Sequence, residues 1–378
     1  MSDWRIRSGV LIGLVLALGY LFFRSLWPSV SPPLRTHAAL LSDCDKSIEE
    51  LVIQYVPDAA EIVLETYQQF LSQLPKEVSV YVVCPSAKAC QDLIGRLKEI
   101  KCRLVPLVTN HPITTWSRDR WLAFGPLEPG RPGLILSPRE EIAARVWPQR
   151  QGDQRVAEDL AAFFKEKFES KRSALAFDGG DFVADSKTVF ITPNVLLRNE
   201  GITVPSSIEL KHVLEGILQK EVILLGKAPA HHAGMFMMPA GRKTMLVGDP
   251  SLASASLDCL QTRSAACPIL HPDLSADSQS RFDAVAETAR AAGYRVVRIP
   301  VVPDTDGRTY LTYLNVIIDQ RDGQRIVYMP TYRKAEKLNR QAERIWQGLG
   351  YQVRRVDCTA TYIHFGSLRC LVNVLKRA

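Results

Sequence analysis

From about residue 38 to the C-terminus, short runs of β-branched residues alternate with stretches whose apolar residues recur at helical spacing. That alternation is the pattern of an α/β domain, in which strands make the sheets and the helices between them cover the faces. Spacing predicts helices over 59–74, 86–100, 154–170, 208–219, 278–292 and 334–348. It predicts strands over 78–83, 102–109, 133–136, 188–192, 221–225, 243–247, 294–299, 313–318, 325–329 and 352–356. No stretch within 38–378 is rich enough in Gly, Ser or Pro to divide it, so a single domain of that extent is expected. No exact repeat is visible, and any pseudo-symmetry has to be structural. With 46% hydrophobic and 23% charged residues over 378 positions, the chain can bury a large core, and disorder throughout is excluded.

A second signal precedes the domain. Residues 1–8 form a short basic N-terminus, and residues 9–23 (GVLIGLVLALGYLFF) carry no charge and are flanked by Arg5, Arg7 and Arg24. A bilayer span needs about 20 apolar residues, which this run approaches once Ser25, Leu26 and Trp27 join it and Arg24 snorkels to the interface. Residues 9–27 are therefore expected to form one hydrophobic helix, a membrane anchor that exports the domain behind it. A cleaved signal, leaving a secreted or periplasmic protein, is the rival, with Ser29-Val30-Ser31 as the small-residue pair. Residues 28–37, with three prolines, read as a stiff linker.

The net charge of +7 is concentrated at that end, the first 35 residues supplying +3 of it. The remainder is too dilute for nucleic-acid binding, and no basic run interleaved with aromatics supports it. Eight cysteines permit an oxidising compartment, but no CxxC pair suggests zinc or a redox site. Cys259 and Cys267 bracket a polar loop that a disulfide would close, and Cys90 with Cys102 is a weaker pair.

Four short stretches set a reactive or charged residue beside an apolar strand or a tight turn: TTWSRDRW from Thr114, FDGGDFVAD from Phe177, HHAGMF from His231 and FGSLRC from Phe365. Two acids, a histidine and a cysteine in that order are the ingredients of a thiol hydrolase that recognises a cation through carboxylates. Each also has a structural reading. Cys370 beside LVNVL suits a small core residue, and His232 beside Met235 and Phe236 suits a packed one, with His231 beside it the alternative for the active histidine. Asp178-Gly-Gly-Asp181 suits a hairpin turn. Arg118 and Asp119, between Trp116 and Trp121, suit a solvated ion pair.

Taken together, the four stretches resemble the guanidino-group-modifying or pentein superfamily of agmatine, arginine and peptidylarginine deiminases, dimethylarginine dimethylaminohydrolases and amidinotransferases. The resemblance spans about 42–378. WSRD at Trp116 is similar to the WxRD element of agmatine deiminases, FDGGD at Phe177 to the dimethylargininase LDGGD, and TYLN at Thr312 to a YxN strand followed by a Pro-containing turn. His232 matches the GHxDxF histidine and GSLRC at Gly366 the terminal GGPRC. What the resemblance implies is a propeller of five α/β modules with the active site at its centre. It implies Cys370 as nucleophile, His232 as acid and base, Asp178 as its orienting acid, and Asp119, Asp181, Arg118 and Trp116 as substrate-binding residues. It implies no metal and no organic cofactor.

Two departures bear on activity. Gly234 stands where most deiminases carry a second guanidinium-binding aspartate, a loss that Asp181 or Asp249 would have to offset. Ser367-Leu368-Arg369 replaces a glycine-rich turn before the cysteine. The expected function is hydrolysis of C–N bonds in a small guanidino substrate or an arginyl peptide. An amidinotransferase and an inactive binding protein of the same fold are the alternatives. The substrate is set by loops such as 126–150 and 252–281, for which no counterpart is matched, and oligomeric state is not legible.

Overall fold

The computed structural model describes residues 36–141, 148–254 and 271–378. Residues 36–378 make one compact unit. The apolar segment 9–27 and the Cys259–Cys267 loop lie outside the described residues. Among the described residues no helix is long and apolar enough to cross a membrane.

The strands assemble into five sheets of three or four strands. One motif recurs in all five: an antiparallel strand pair followed by a helix that returns the chain to a parallel neighbour. Strand Gln324–Thr331 leads through helix Glu336–Gly348 to Gln352–Asp357, paired in parallel from Ile326 with Gln352 to Thr331 with Asp357. Thr244–Asp249 leads through Ala276–Ala291 to Arg295–Pro303 in the same way, and Thr188–Ile191 through Ser207–Leu218 to Glu221–Leu224. The repeat is therefore one of topology. The fifth sheet is closed by the two ends of the domain, because Val372–Arg377 pairs antiparallel with Ile48–Gln54. This seats the residues just before Val372 against the domain's own first long strand.

The helices follow from their patterns. Ala60–Ser72 buries Val63, Tyr67, Phe70 and Leu71 at i, i+4, i+7 and i+8, a single apolar stripe. Glu336–Gly348 buries Leu338, Asn339, Ala342 and Trp346 and turns its charged face outward. Ser86, Ser206 and Ser275 each cap a helix, accepting the backbone N–H three residues on.

Three expectations are corrected. The helix expected over 154–170 spans only Val156–Phe164. Lys165 has a φ of 51°, which ends it, and Phe168–Arg172 is a strand. Phe168 is drawn out of helical geometry by packing edge-on against Phe164 at 5.2 Å and by pairing with Gly133. The strand expected over 313–318 is split into Tyr310–Thr312 and Ile317–Arg321, because the chain crosses from one sheet to the next between them. Cys90 and Cys102 are both free thiols. Cys90 lies 3.5 Å from the Val82 carbonyl and Cys102 3.7 Å from that of Leu71.

Candidate functional site

Five of the connections that hand the chain from one sheet to the next carry the residues of interest. Asp119 lies between Arg103–Val108 and Leu122–Pro126, Asp178 between Phe168–Arg172 and Phe182–Ala184, and His232 between Glu221–Leu224 and Met237–Pro239. Asn315 follows Tyr310–Thr312, and Cys370 precedes Val372–Arg377. Trp116, Asp119, His232 and Cys370 line a single cavity of about 530 Å³.

Cys370 sits in the one-turn helix Leu368–Leu371, with 4% of its surface exposed. Its N–H donates to the Ser367 carbonyl at 3.1 Å and to Asn315 Oδ1 at 3.2 Å. Asn315 Nδ2 lies 3.5 Å from Cys370 Sγ and donates to it, while Asn315 Oδ1 also accepts the Arg369 N–H at 2.8 Å. One amide thus holds the turn and points a donor at the sulfur. His232 provides the second partner through a side-chain hydrogen bond with Cys370.

Of the two adjacent histidines, His232 is the one joined to Cys370. Burial alone would discharge it, but the bond to Cys370 and the fields of Asp119, Asp181 and Asp178 push it up to about 10. His231 is the opposite case: burial and the neighbouring His232 charge push it down to about 3, and its Nδ1 accepts the His232 N–H at 2.7 Å. His231 therefore buttresses His232. Gly180 completes the seat from the other side, since a Cβ there would stand 2.4 Å from His232 Nδ1.

Asp178 and Asp181 enclose that glycine, but not as a hairpin. Gly179–Asp181 is a 3₁₀ turn closed by a reciprocal cap. The Asp181 carboxylate accepts the Asp178 N–H at 3.0 Å, the Thr192 hydroxyl at 2.8 Å and the Asn194 amide at 3.4 Å. Burial pushes Asp181 up. It does not line the cavity, so it positions the turn rather than offering the second substrate carboxylate. Asp178 acts on His232 through its field, its oxygens being taken by arginines: Arg150 at 2.7 Å, Arg198 at 2.9 Å and Arg120 at 3.2 Å. Although burial opposes ionisation, those cations hold its carboxyl well below the usual range.

Arg118 is likewise withdrawn from the substrate role. It donates to the Gly179 carbonyl at 3.1 Å and to Asn373 Oδ1 at 2.8 Å, tying two connections together behind the cavity. Burial and the nearby Arg369 bring it down to about 9. Adjacent residues of one loop therefore point opposite ways, Asp119 into the cavity and Arg118 into the core. Trp116 lies over Gly366, where a Cβ would come 2.5 Å from its ring.

A Cβ at position 234 would approach Arg369 Nη1 at 3.1 Å and Asn315 Nδ2 at 3.4 Å. Arg369 is itself engaged, bonding Asp43 at 2.8 Å and the Phe182 carbonyl at 2.9 Å. The space beside Cys370 that a second carboxylate would enter is thus bounded by a guanidinium of the protein. Asn315, Arg150, Arg308 and His364 line or support the site and were not assigned to it from sequence. Only Asn315 had a signal, the TYLN run. Among the described residues no group of three or more His, Cys, Asp and Glu side chains is placed to hold a metal ion.

No family model matches the chain, and no curated protein matches it by sequence. Solved structures do match by fold. An agmatine deiminase of C. jejuni superposes with a TM-score of 0.66 at 16% identity, covering 90% of this chain and 96% of that one. A substrate-bound form of the C. jejuni enzyme gives 0.65 at 17% identity, over 90% and 97%. The agmatine deiminase of Enterococcus faecalis gives 0.65 at 14% identity, over 93% and 99%. The chain therefore has the α/β fold of the agmatine deiminases on which it superposes.

Proposed function

We propose that this chain is a hydrolase of C–N bonds in guanidino compounds, with Cys370 as nucleophile, and that its five sheets are the modules of a pentein propeller. The observation that carries the reading is the pairing of Cys370 with His232 and Asn315 in the cavity that also receives Asp119. A guanidinium carbon is a poor electrophile because its charge is spread over three nitrogens, so the site has to supply orientation and a strong nucleophile. Asp119 holds the planar cation by its N–H groups. The imidazolium of His232 and the amide of Asn315 stabilise negative charge on Sγ.

Sulfur then attacks the central carbon, and the C–N bond breaks as His232 gives its proton to the departing amine. The adduct is an S-linked thiouronium. His232, now neutral, takes a proton from water, whose oxygen attacks the same carbon. The C–S bond breaks, the electron pair returns to sulfur, the added hydroxyl gives its remaining proton to the released amine, and a neutral ureido product leaves. Likeness to agmatine deiminases supports a small guanidino substrate, and an arginyl peptide is kept in the test. Incubation of the full chain with agmatine, arginine, methylated arginines and arginyl peptides, read by mass spectrometry beside Cys370→Ser, is the experiment. Turnover lost in the variant supports the reading, and turnover retained refutes it. An added amine that appears in the product would make the enzyme an amidinotransferase.

The alternative of an inactive binding protein is favoured by one observation, the ion pair between Asp119 and Arg150. It predicts no turnover and a sluggish Cys370. For placement, we propose that residues 9–27 anchor the protein in a membrane with the domain exported. The support is their uncharged apolar run between arginines. Retention in the membrane fraction through a carbonate wash tests it against a cleaved signal.

A further inference from the structure

Arg150 makes the contacts that the proposed mechanism reserves for substrate. Its Nη1 lies 2.8 Å from Asp119 Oδ2 and its Nη2 2.7 Å from Asp178 Oδ1, so one planar fork bridges two carboxylates. It lines the same cavity as Cys370 and His232. Burial disfavours its charge, yet the fields of Asp119, Asp178 and Glu141 raise it further above the ordinary arginine range. Resting on the guanidino reading above, we infer that Arg150 occupies the guanidinium seat of the free protein. It thereby sets specificity, because a substrate enters only by displacing it.

The surroundings allow that exchange by side-chain rotation alone. Arg150 belongs to the short helix Pro148–Asp153, whose backbone is pinned. Asp153 accepts the Thr114 N–H at 2.8 Å, the Thr114 hydroxyl at 2.6 Å and the Gln54 amide at 2.9 Å. Gly152 lies so close to the Pro112 carbonyl that a Cβ would stand 1.6 Å from its oxygen. The arginine side chain, by contrast, is 19% exposed. Its departure leaves the two acids in different states. Asp178 keeps Arg120 and Arg198, whereas Asp119 loses its ion-pair partner among the described residues and is left for an incoming cation. A competitor tethered inside the chain lowers apparent affinity by the fraction of time that the seat is open.

The test compares Arg150→Ala with the parent in the full chain, using 2-chloroacetamidine, a cationic amidine that alkylates thiols, and iodoacetamide, a neutral alkylator. Labelling of Cys370 by the amidine is expected to accelerate at least about tenfold, with iodoacetamide changed less than about twofold, since a seat open one tenth of the time costs tenfold. Arg150→Lys, which keeps the charge and loses the fork, is expected to fall between and gives a second reading should the alanine variant be unstable. In the Cys370→Ser background, agmatine or methylguanidine should bind about tenfold tighter when Arg150 is removed. Equal acceleration of both reagents would mean that only access had changed, and slower amidine labelling would make Arg150 a support for Asp119. Either overturns the inference. If no variant hydrolyses any guanidino compound but the amidine-selective gain appears, the hydrolase reading falls and the occupied seat stands. If the parent turns over and Arg150→Ala has an equal or higher KM, the reverse holds.

Discussion

Replacing Gly180 by alanine adds one methyl group at the back of His232. Built on the backbone, that carbon stands 2.4 Å from His232 Nδ1, 2.5 Å from Cγ and 3.0 Å from Cβ. Ordinary contact begins near about 3.4 Å, so about 1 Å of overlap has to be relieved. The glycine backbone has little room to retreat, because the Asp178 N–H donates to the Asp181 side chain at 3.0 Å and the Gly179 N–H to the Asp119 carbonyl at 2.7 Å. The imidazole has to move instead, while the His232 backbone N–H stays bonded to His231 Nδ1. A shift of about 1 Å in a proton-transferring group costs about 100-fold in turnover, and overpacking of this kind costs about 1–3 kcal/mol of stability. Thermal unfolding of Gly180→Ala, its kcat on the substrate identified by the panel, and alkylation of Cys370 together separate the two effects. A folded variant with kcat within twofold of the parent would refute the placement of His232 as the acid and base.

Three further outcomes follow from the same geometry. Asn315→Ala removes the donor 3.5 Å from Cys370 Sγ and the acceptor for two N–H groups of its turn, and should slow iodoacetamide alkylation of Cys370 at pH 7 by about 10-fold or more, as expected from the loss of a charge-assisted hydrogen bond. Asp153 is pushed up to about 6, first by burial, although its bonds with Thr114 oppose this. Its folded-state value lies above the unfolded one, so the folded form binds the extra proton and stability falls as pH rises from about 4 to 6. The parent should lose on the order of 2–3 kcal/mol over that window relative to Asp153→Asn, read by denaturant unfolding at pH 4 and 7. His232, raised to about 10, contributes stability that is full below about 6.5 and disappears as pH rises through about 10. Relative to His232→Gln, the parent should therefore lose stability between pH 7 and 10, and kcat should fall along the same limb as the proton needed by the leaving amine is lost.

The parts of this structure that could be read in advance are those where local pattern and tertiary role coincide. Ala60–Ser72 and Glu336–Gly348 show their buried stripes in the sequence. Cys370, His232 and Asp119 stand in ordered motifs, and the structure brings all three to one cavity. The failures share a cause. Phe168–Arg172 reads FESKR, a polar run that continues a helical pattern, and the packing of Phe168 on Phe164 together with pairing to Gly133–Ser137 makes it a strand. Arg118 is adjacent to the cavity-lining Asp119, and Asp181 stands three residues beyond Asp178, but spacing does not reveal direction, and each turns inward to bind backbone or a side-chain amide. Asn315 was inside a run read as continuous strand, and its role exists because that strand breaks. Arg150 lies 31 residues beyond Asp119, and the two meet only through the fold.

The most direct test of the central claim is intact-mass measurement of the full chain during turnover of agmatine, arginine and methylated arginines, quenched in acid, with Cys370→Ser beside it. The account predicts a covalent adduct equal in mass to the substrate less its leaving amine, mapped by digestion to the peptide holding Cys370, appearing with ureido product and absent from the variant. Ureido product formed by Cys370→Ser at the parent's rate, or an adduct mapped to another cysteine, would contradict it.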